Sequence, residues 1–213
     1  MKPNVFFAEF LGTFTLVFIG AGAAAAGTIN LLGVALIFGL IIASMIYVFG
    51  EISGTHINPA VTFALALNGN LTWTKAVFYW IAQFVGGIIA AAALLFVFGG
   101  AQNGLGATLL ASGVSPLQGL AVETIGTFIL MTVIFFAAVK GYAGKSASLI
   151  IALTVIVLIL FAGPLSGAGF NPARSFGPAL FTGTLALFWI YLLGPLAGAA
   201  LAVLFYRLIT KKT

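Results

Sequence analysis

Long apolar runs alternate with short polar breaks along this chain, and the runs lack the polar face that a helix of a water-soluble domain would show. Six of them, at residues 5–26, 31–50, 76–98, 117–139, 147–163 and 185–206, approach or exceed the roughly 20 apolar residues that a helix needs to cross a bilayer core. Two further runs, 58–67 and 171–181, reach only about 15 Å as helix, half the distance. The pattern predicts an all-α membrane protein with six transmembrane helices and two half-helices, forming a single transmembrane domain over 1–213. The first run is read as a span and not a cleaved signal, because it is too long, contains Glu9 and has a counterpart inside the chain.

Composition agrees and narrows the chemistry. Hydrophobic residues make up 62% of the 213 and charged residues only 5%, with a mean hydropathy of +1.26. With no Asp, no Cys and one His, the chain cannot assemble a Ser-His-Asp triad, a cysteine nucleophile, a disulfide, an ordinary zinc site or an iron–sulfur cluster. No enzyme, metal or cofactor is expected. The net charge of +5 does not point to nucleic acid, because the cations fall where a bilayer would sort them. Placing the N-terminus in the cytoplasm brings Lys2, Lys75, Lys140, Lys145, Arg207, Lys211 and Lys212 to that side, while the opposite loops around 28–30 and 99–116 carry no charge. Both termini are then cytoplasmic. Arg174 alone breaks the rule, which marks it as functional.

The chain also repeats itself. Glu9-Phe10-Leu11-Gly12-Thr13-Phe14 recurs as Glu123-Thr124-Ile125-Gly126-Thr127-Phe128, and Ser53-Gly54 with Asn58-Pro59-Ala60 recurs as Ser166-Gly167 with Asn171-Pro172-Ala173. Each half, about 1–99 and 117–213, holds three spans and one short run, so the second half is inverted; an extracellular loop at 99–116 links them. Asn is a favoured N-cap and Pro is accepted at the first helical position, so Asn58-Pro59 and Asn171-Pro172 start two half-helices whose N-termini face each other at mid-depth. The residues before them, Gly54, Thr55, His56, Ile57 and Gly167, Ala168, Gly169, Phe170, are irregular backbone at membrane depth, which is tolerated only against protein or a wet cavity.

Paired Asn-Pro-Ala motifs in inverted halves, each behind a Glu-x-x-Gly-Thr-Phe block, with Arg174 after the second, resemble the aquaporin (major intrinsic protein) family over essentially the whole chain. The resemblance implies an aquaporin-like fold, a homotetramer with one pore per subunit in the plasma membrane, and passive flow of water or of glycerol and other small neutral solutes. It places the family's outer selectivity filter on Phe38, Ile159, Ala168 and Arg174. Phe38, Ala168 and Arg174 resemble the water-selective members, as do Ser175, the short link at 181–184 and Phe188-Trp189. Ile159 stands where those members commonly have His and makes that corner apolar. Glu51 replaces another frequent His.

Carbonyls of the two irregular stretches are expected to form a ladder for a water file, with each asparagine oxygen held by backbone N–H groups and its NH2 turned to the water. Glu9 and Glu123 are read as buried braces that accept hydrogen bonds from the loop of their own half, and His56 as a wall residue of the cytoplasmic approach. Tyr79-Trp80 and Phe188-Trp189, near span ends, are read as interfacial anchors.

Overall fold

The computed structural model describes residues 2–210; Lys211 and Lys212 of the orientation argument lie outside them. Where water cannot reach, only an internal ladder satisfies the backbone, so the apolar runs fold as helices. In chain order these are α1 (Pro3–Ala25), α2 (Leu31–Ser53), α3 (Pro59–Leu67), α4 (Trp73–Val97), α5 (Pro116–Val139), α6 (Ala147–Ser166), α7 (Pro172–Thr182) and α8 (Phe188–Thr210). Among the described residues there is no strand. Polar side chains close the helix starts: Asn30 accepts from the Gly33 N–H, Thr72 from Lys75, and Ser115 forms a reciprocal box with Gln118. α6 continues three residues past its predicted end, through Pro164, and stops at Gly167, whose φ of 77° ends it in the left-handed conformation.

The two halves interlock. α1 packs along α4 and α5 along α8, the same pairing in each repeat, while α2 lies against α6 across the repeat boundary. Each half-helix docks on the last helix of the other half, α7 on α4 and α3 on α8. Glycines at these crossings bring backbone against backbone. A Cβ on Gly86 would stand 2.5 Å from the Phe10 carbonyl oxygen, and one on Gly198 would strike the Thr124 carbonyl. α1 and α5 each contain π-helical turns, at Leu16–Ala21 and Phe135–Val139.

The outer surface is apolar: Tyr47 and Phe96 are each 87% exposed, and Phe7, Leu40, Val157 and Leu204 are more than half exposed. Glu9, Gln83, Glu123 and Arg174 are buried instead. This inversion of the soluble pattern places polar chemistry along the bundle axis and leaves the periphery to lipid or to other apolar surfaces.

Candidate functional site

The site starts from two strained loops. Thr55, Ile57, Ala168 and Phe170 all have positive φ, between 41° and 49°, a conformation that non-glycine residues hold only when their surroundings impose it. Two carboxylates do so. Glu9 accepts from the Ser53 hydroxyl at 2.6 Å and from the backbone N–H groups of His56 at 2.9 Å and Ile57 at 2.7 Å. Glu123 accepts from Ser166 at 2.7 Å, Gly169 at 2.9 Å and Phe170 at 2.6 Å. Both acids are fully buried. In each loop the carboxylate thus takes two successive backbone N–H groups, and the serine hydroxyl takes the one before them, from Thr55 at 3.0 Å and Ala168 at 3.3 Å. Tyr79 and Tyr191 tie the same loops from behind, donating to the Ser53 and Ser166 carbonyls at 2.6 and 2.8 Å.

The half-helix tips meet. Asn58 caps α3 by accepting from the Ala60 N–H at 2.9 Å, and Asn171 caps α7 by accepting from Ala173 at 3.1 Å and Arg174 at 3.2 Å. Each amide then crosses to the other half: Asn58 Nδ2 donates to the Phe170 carbonyl and Asn171 Nδ2 to the Ile57 carbonyl, both at 2.8 Å. One hydrogen of each NH2 is therefore committed, and one remains for a passing molecule.

Cavities lie on both sides of this contact. A wide one of about 380 Å³ includes Gly54, Thr55, His56 and Ile57 in its wall, and a narrow one of about 50 Å³ includes Phe38, Ile159, Ala168, Gly169, Phe170 and Arg174. Leu16, Ile42, Asn58, Leu130, Val155 and Asn171 line both, so the two spaces adjoin at the asparagine pair. Arg174 is buried, with its guanidinium carbon 5.2 Å from the centre of the Phe38 ring and its Nη1 donating to the Gly106 carbonyl at 2.7 Å. The four residues expected to form a filter are thus together in one narrow space.

Some residues have other positions than the sequence suggested. Within Asn-Pro-Ala, only the asparagines border the cavities: Pro59, Ala60, Pro172 and Ala173 are buried in the helix starts, where Pro59 offers its carbonyl to the Trp80 indole at 3.1 Å. Gly167 ends α6 and packs on the loop near Leu109, outside the lining of both cavities. Tyr79 is not an interfacial anchor, being 4% exposed and bonded to the Ser53 carbonyl, and Trp80 is held against α3. Glu51, by contrast, is exposed at the end of α2, the solvated position expected for its charge.

Sequence reasoning missed Gly106 and Gln83. The loop at 99–116 is not a plain linker, because it buries Leu105 completely against Val17, Ala21, Ala90 and Leu94. That anchor sets the carbonyl that holds Arg174. The available signal was Gly104-Leu105-Gly106 within a linker longer than packing requires. Gln83 Nε2 bridges Glu9 at 2.8 Å and Thr62 at 2.9 Å. It was hidden because the repeat sets Pro195 opposite it.

Two half-helices joined tip to tip between adjoining cavities, inside six apolar helices, define a multi-pass membrane channel of inverted-repeat design. The major intrinsic protein family model matches residues 3–206, and the chain belongs to that family; it is a channel and not an enzyme. Among its relatives, Aquaporin NIP1-3 of Oryza sativa subsp. japonica is 43% identical over 208 residues, covering 95% of this chain and 72% of the relative. Probable aquaporin TIP2-2 of the same plant is 41% identical, covering 96% of this chain and 86% of the relative. The solved structure of the aquaglyceroporin from Plasmodium falciparum superposes with a TM-score of 0.89 at 25% identity, covering 99% of this chain and 98% of the other.

Proposed function

We propose that this channel conducts water as its main substrate, admits small neutral solutes, and excludes ions and protons. The observation that carries the reading is the crossed asparagine pair at the junction of the two cavities. A water molecule there receives the free N–H of each amide on its oxygen, so its own hydrogens point away along the passage in both directions. That reversal interrupts the donor chain along which a proton would hop. Each half-helix N-terminus adds roughly half a positive charge, and Arg174 adds a full one at the narrow cavity, so cations meet repulsion as well as the cost of losing their hydration.

Phe38, Ile159, Ala168 and Arg174 act as the selectivity filter, with the loop carbonyls as the ladder on either side. Ile159 supports a second reading, a facilitator for glycerol or similar neutral solutes, because an apolar corner beside Phe38 accepts carbon-bearing molecules. In the bilayer the wide cavity opens to the cytoplasm, with both termini on that side; the channel is a homotetramer in the plasma membrane. Stopped-flow light scattering of proteoliposomes separates the two solute readings. Fast shrinkage in an impermeant osmolyte with slow glycerol re-swelling fits a water channel, and fast re-swelling fits the facilitator. Shrinkage at the rate of empty vesicles refutes both.

A further inference from the structure

Phe38 stands on α2 in the wall of the narrow cavity, and behind its ring lies Gly20 of α1. A Cβ added to Gly20 would overlap Phe38 Cε1 and stand 2.6 Å from Cδ1 and 2.7 Å from Cζ. All three are ring atoms, so one edge of the ring rests where a side chain at position 20 would begin. Gly20 is buried and borders neither cavity itself.

The duplication shows what this pairing replaces. The repeat sets Leu130 opposite Leu16 and Val155 opposite Ile42, and all four line both cavities. The same correspondence sets Ile134 opposite Gly20 and Ile151 opposite Phe38, and both isoleucines line the wide cavity. At the narrow end a ring and a missing side chain take the place of that pair. The ring leans into the room that the glycine leaves.

Gly20 belongs to the π-helical turn Leu16–Ala21, which packs against α2. Such turns occur frequently at functional sites. Here the turn supplies Leu16 to the wall of both cavities, Gly20 to the back of Phe38, and the Ala21 carbonyl, which a Cβ on Gly106 would strike. Gly106 in turn holds Arg174 through its own carbonyl. The aromatic ring and the guanidinium of the narrow space are therefore seated on adjacent residues of one turn.

We propose that Gly20 is a positioning residue of the filter: by carrying no side chain it lets the Phe38 ring sit back against α1, and this sets the width of the narrow passage. This rests on reading that cavity as the filter. A methyl group at position 20 must drive the ring off by about 1 Å to restore a carbon separation of roughly 3.5–4.0 Å. The α1 backbone has little room to retreat, because it is packed along α4 with Gly86 against the Phe10 carbonyl. The empty space beside the ring is the narrow cavity, of about 50 Å³, so the ring moves into the passage.

A cycle of Gly20→Ala, Phe38→Ala and the double variant, each purified at full length and reconstituted in proteoliposomes, tests this by water and glycerol permeability per folded channel. Gly20→Ala should lower water permeability about tenfold, the low end of what one misplaced methylene does in a close-fitting site, and glycerol permeability further. Phe38→Ala should raise glycerol relative to water, and adding Gly20→Ala to it should change nothing, because the ring that the methyl group would meet is gone. A loss of permeability that persists in the double variant, or a folded Gly20→Ala that conducts as the wild type does, would overturn the proposal. If Gly20→Ala does not fold, recovery of folded protein in the double variant supports the contact, and a double variant that also fails to fold overturns it. A Phe38→Ala channel with the wild-type solute spectrum would refute the filter reading and the proposal with it, whereas an effect of Phe38→Ala without one of Gly20→Ala would refute the positioning role alone.

Discussion

Replacing the two asparagines singly and together measures the contact between the half-helices. Asn58→Ala removes the 2.9 Å cap bond from Ala60 and the 2.8 Å crossed bond to the Phe170 carbonyl. Asn171→Ala removes the cap bonds from Ala173 and Arg174 and the 2.8 Å crossed bond to the Ile57 carbonyl. Loss of an N-cap costs about 1 kcal/mol and loss of a neutral hydrogen bond about another 1. Each single variant is thus expected to lose about 2 kcal/mol, or about 4–8 °C in thermal midpoint for a chain of this size. The two crossed bonds span the same pair of tips, so breaking one lets the tips part and weakens the other. The double variant should then lose less than the sum of the singles, by about 0.5–1.5 kcal/mol, because neighbouring groups couple. Thermal unfolding in detergent, followed by tryptophan fluorescence for the wild type and all three variants, supplies the cycle. Effects that add to within about 0.3–0.5 kcal/mol would refute the idea of mutually dependent tips.

Arg174→Val should keep the fold and speed glycerol entry relative to water; an unaltered solute spectrum in intact protein would remove Arg174 from the filter. Gly106→Ala should resemble it, because a Cβ there strikes the Ala21 carbonyl and displaces the oxygen that holds Arg174, and paired permeability assays would detect the shared phenotype. Gly198→Ala should destabilise the protein by about 1–3 kcal/mol, since its Cβ meets the Thr124 backbone, whereas Gly50→Ala, with open space around it, should stabilise α2 by up to about 1 kcal/mol; thermal midpoints give the order. Mercurials that act through thiols should leave permeability unchanged, because the chain has no cysteine, and inhibition in proteoliposomes would contradict this.

The helices were legible because a bilayer imposes a length and an apolarity that a sequence shows directly. The half-helices were legible because Asn-Pro is a local start signal, and the predicted 58–67 and 171–181 became Pro59–Leu67 and Pro172–Thr182. Glu9 and Glu123 stood out as duplicated acids beside duplicated loops. What escaped lies in backbone groups and long-range docking. Gly106 acts through a carbonyl, which any residue type carries, and its placement depends on Leu105 finding a pocket between α1 and α4. Tyr79 and Trp80 looked like interfacial aromatics from their place near a span end. Their real partners, the Ser53 and Pro59 carbonyls, come near only when the first loop and α3 fold back into the bundle. Each Asn amide was expected to turn wholly to water, and the crossing to the opposite carbonyl became visible only with both halves in place.

The central claim is a passage open to water and closed to protons at the asparagine pair. It is tested most directly by proteoliposomes that report osmotic shrinkage and internal pH together, over a series of protein densities. The account predicts that water permeability rises in proportion to protein while proton flux under an imposed pH gradient stays at the value of empty vesicles. Water permeability that does not rise, or proton flux that rises with it, would contradict the account.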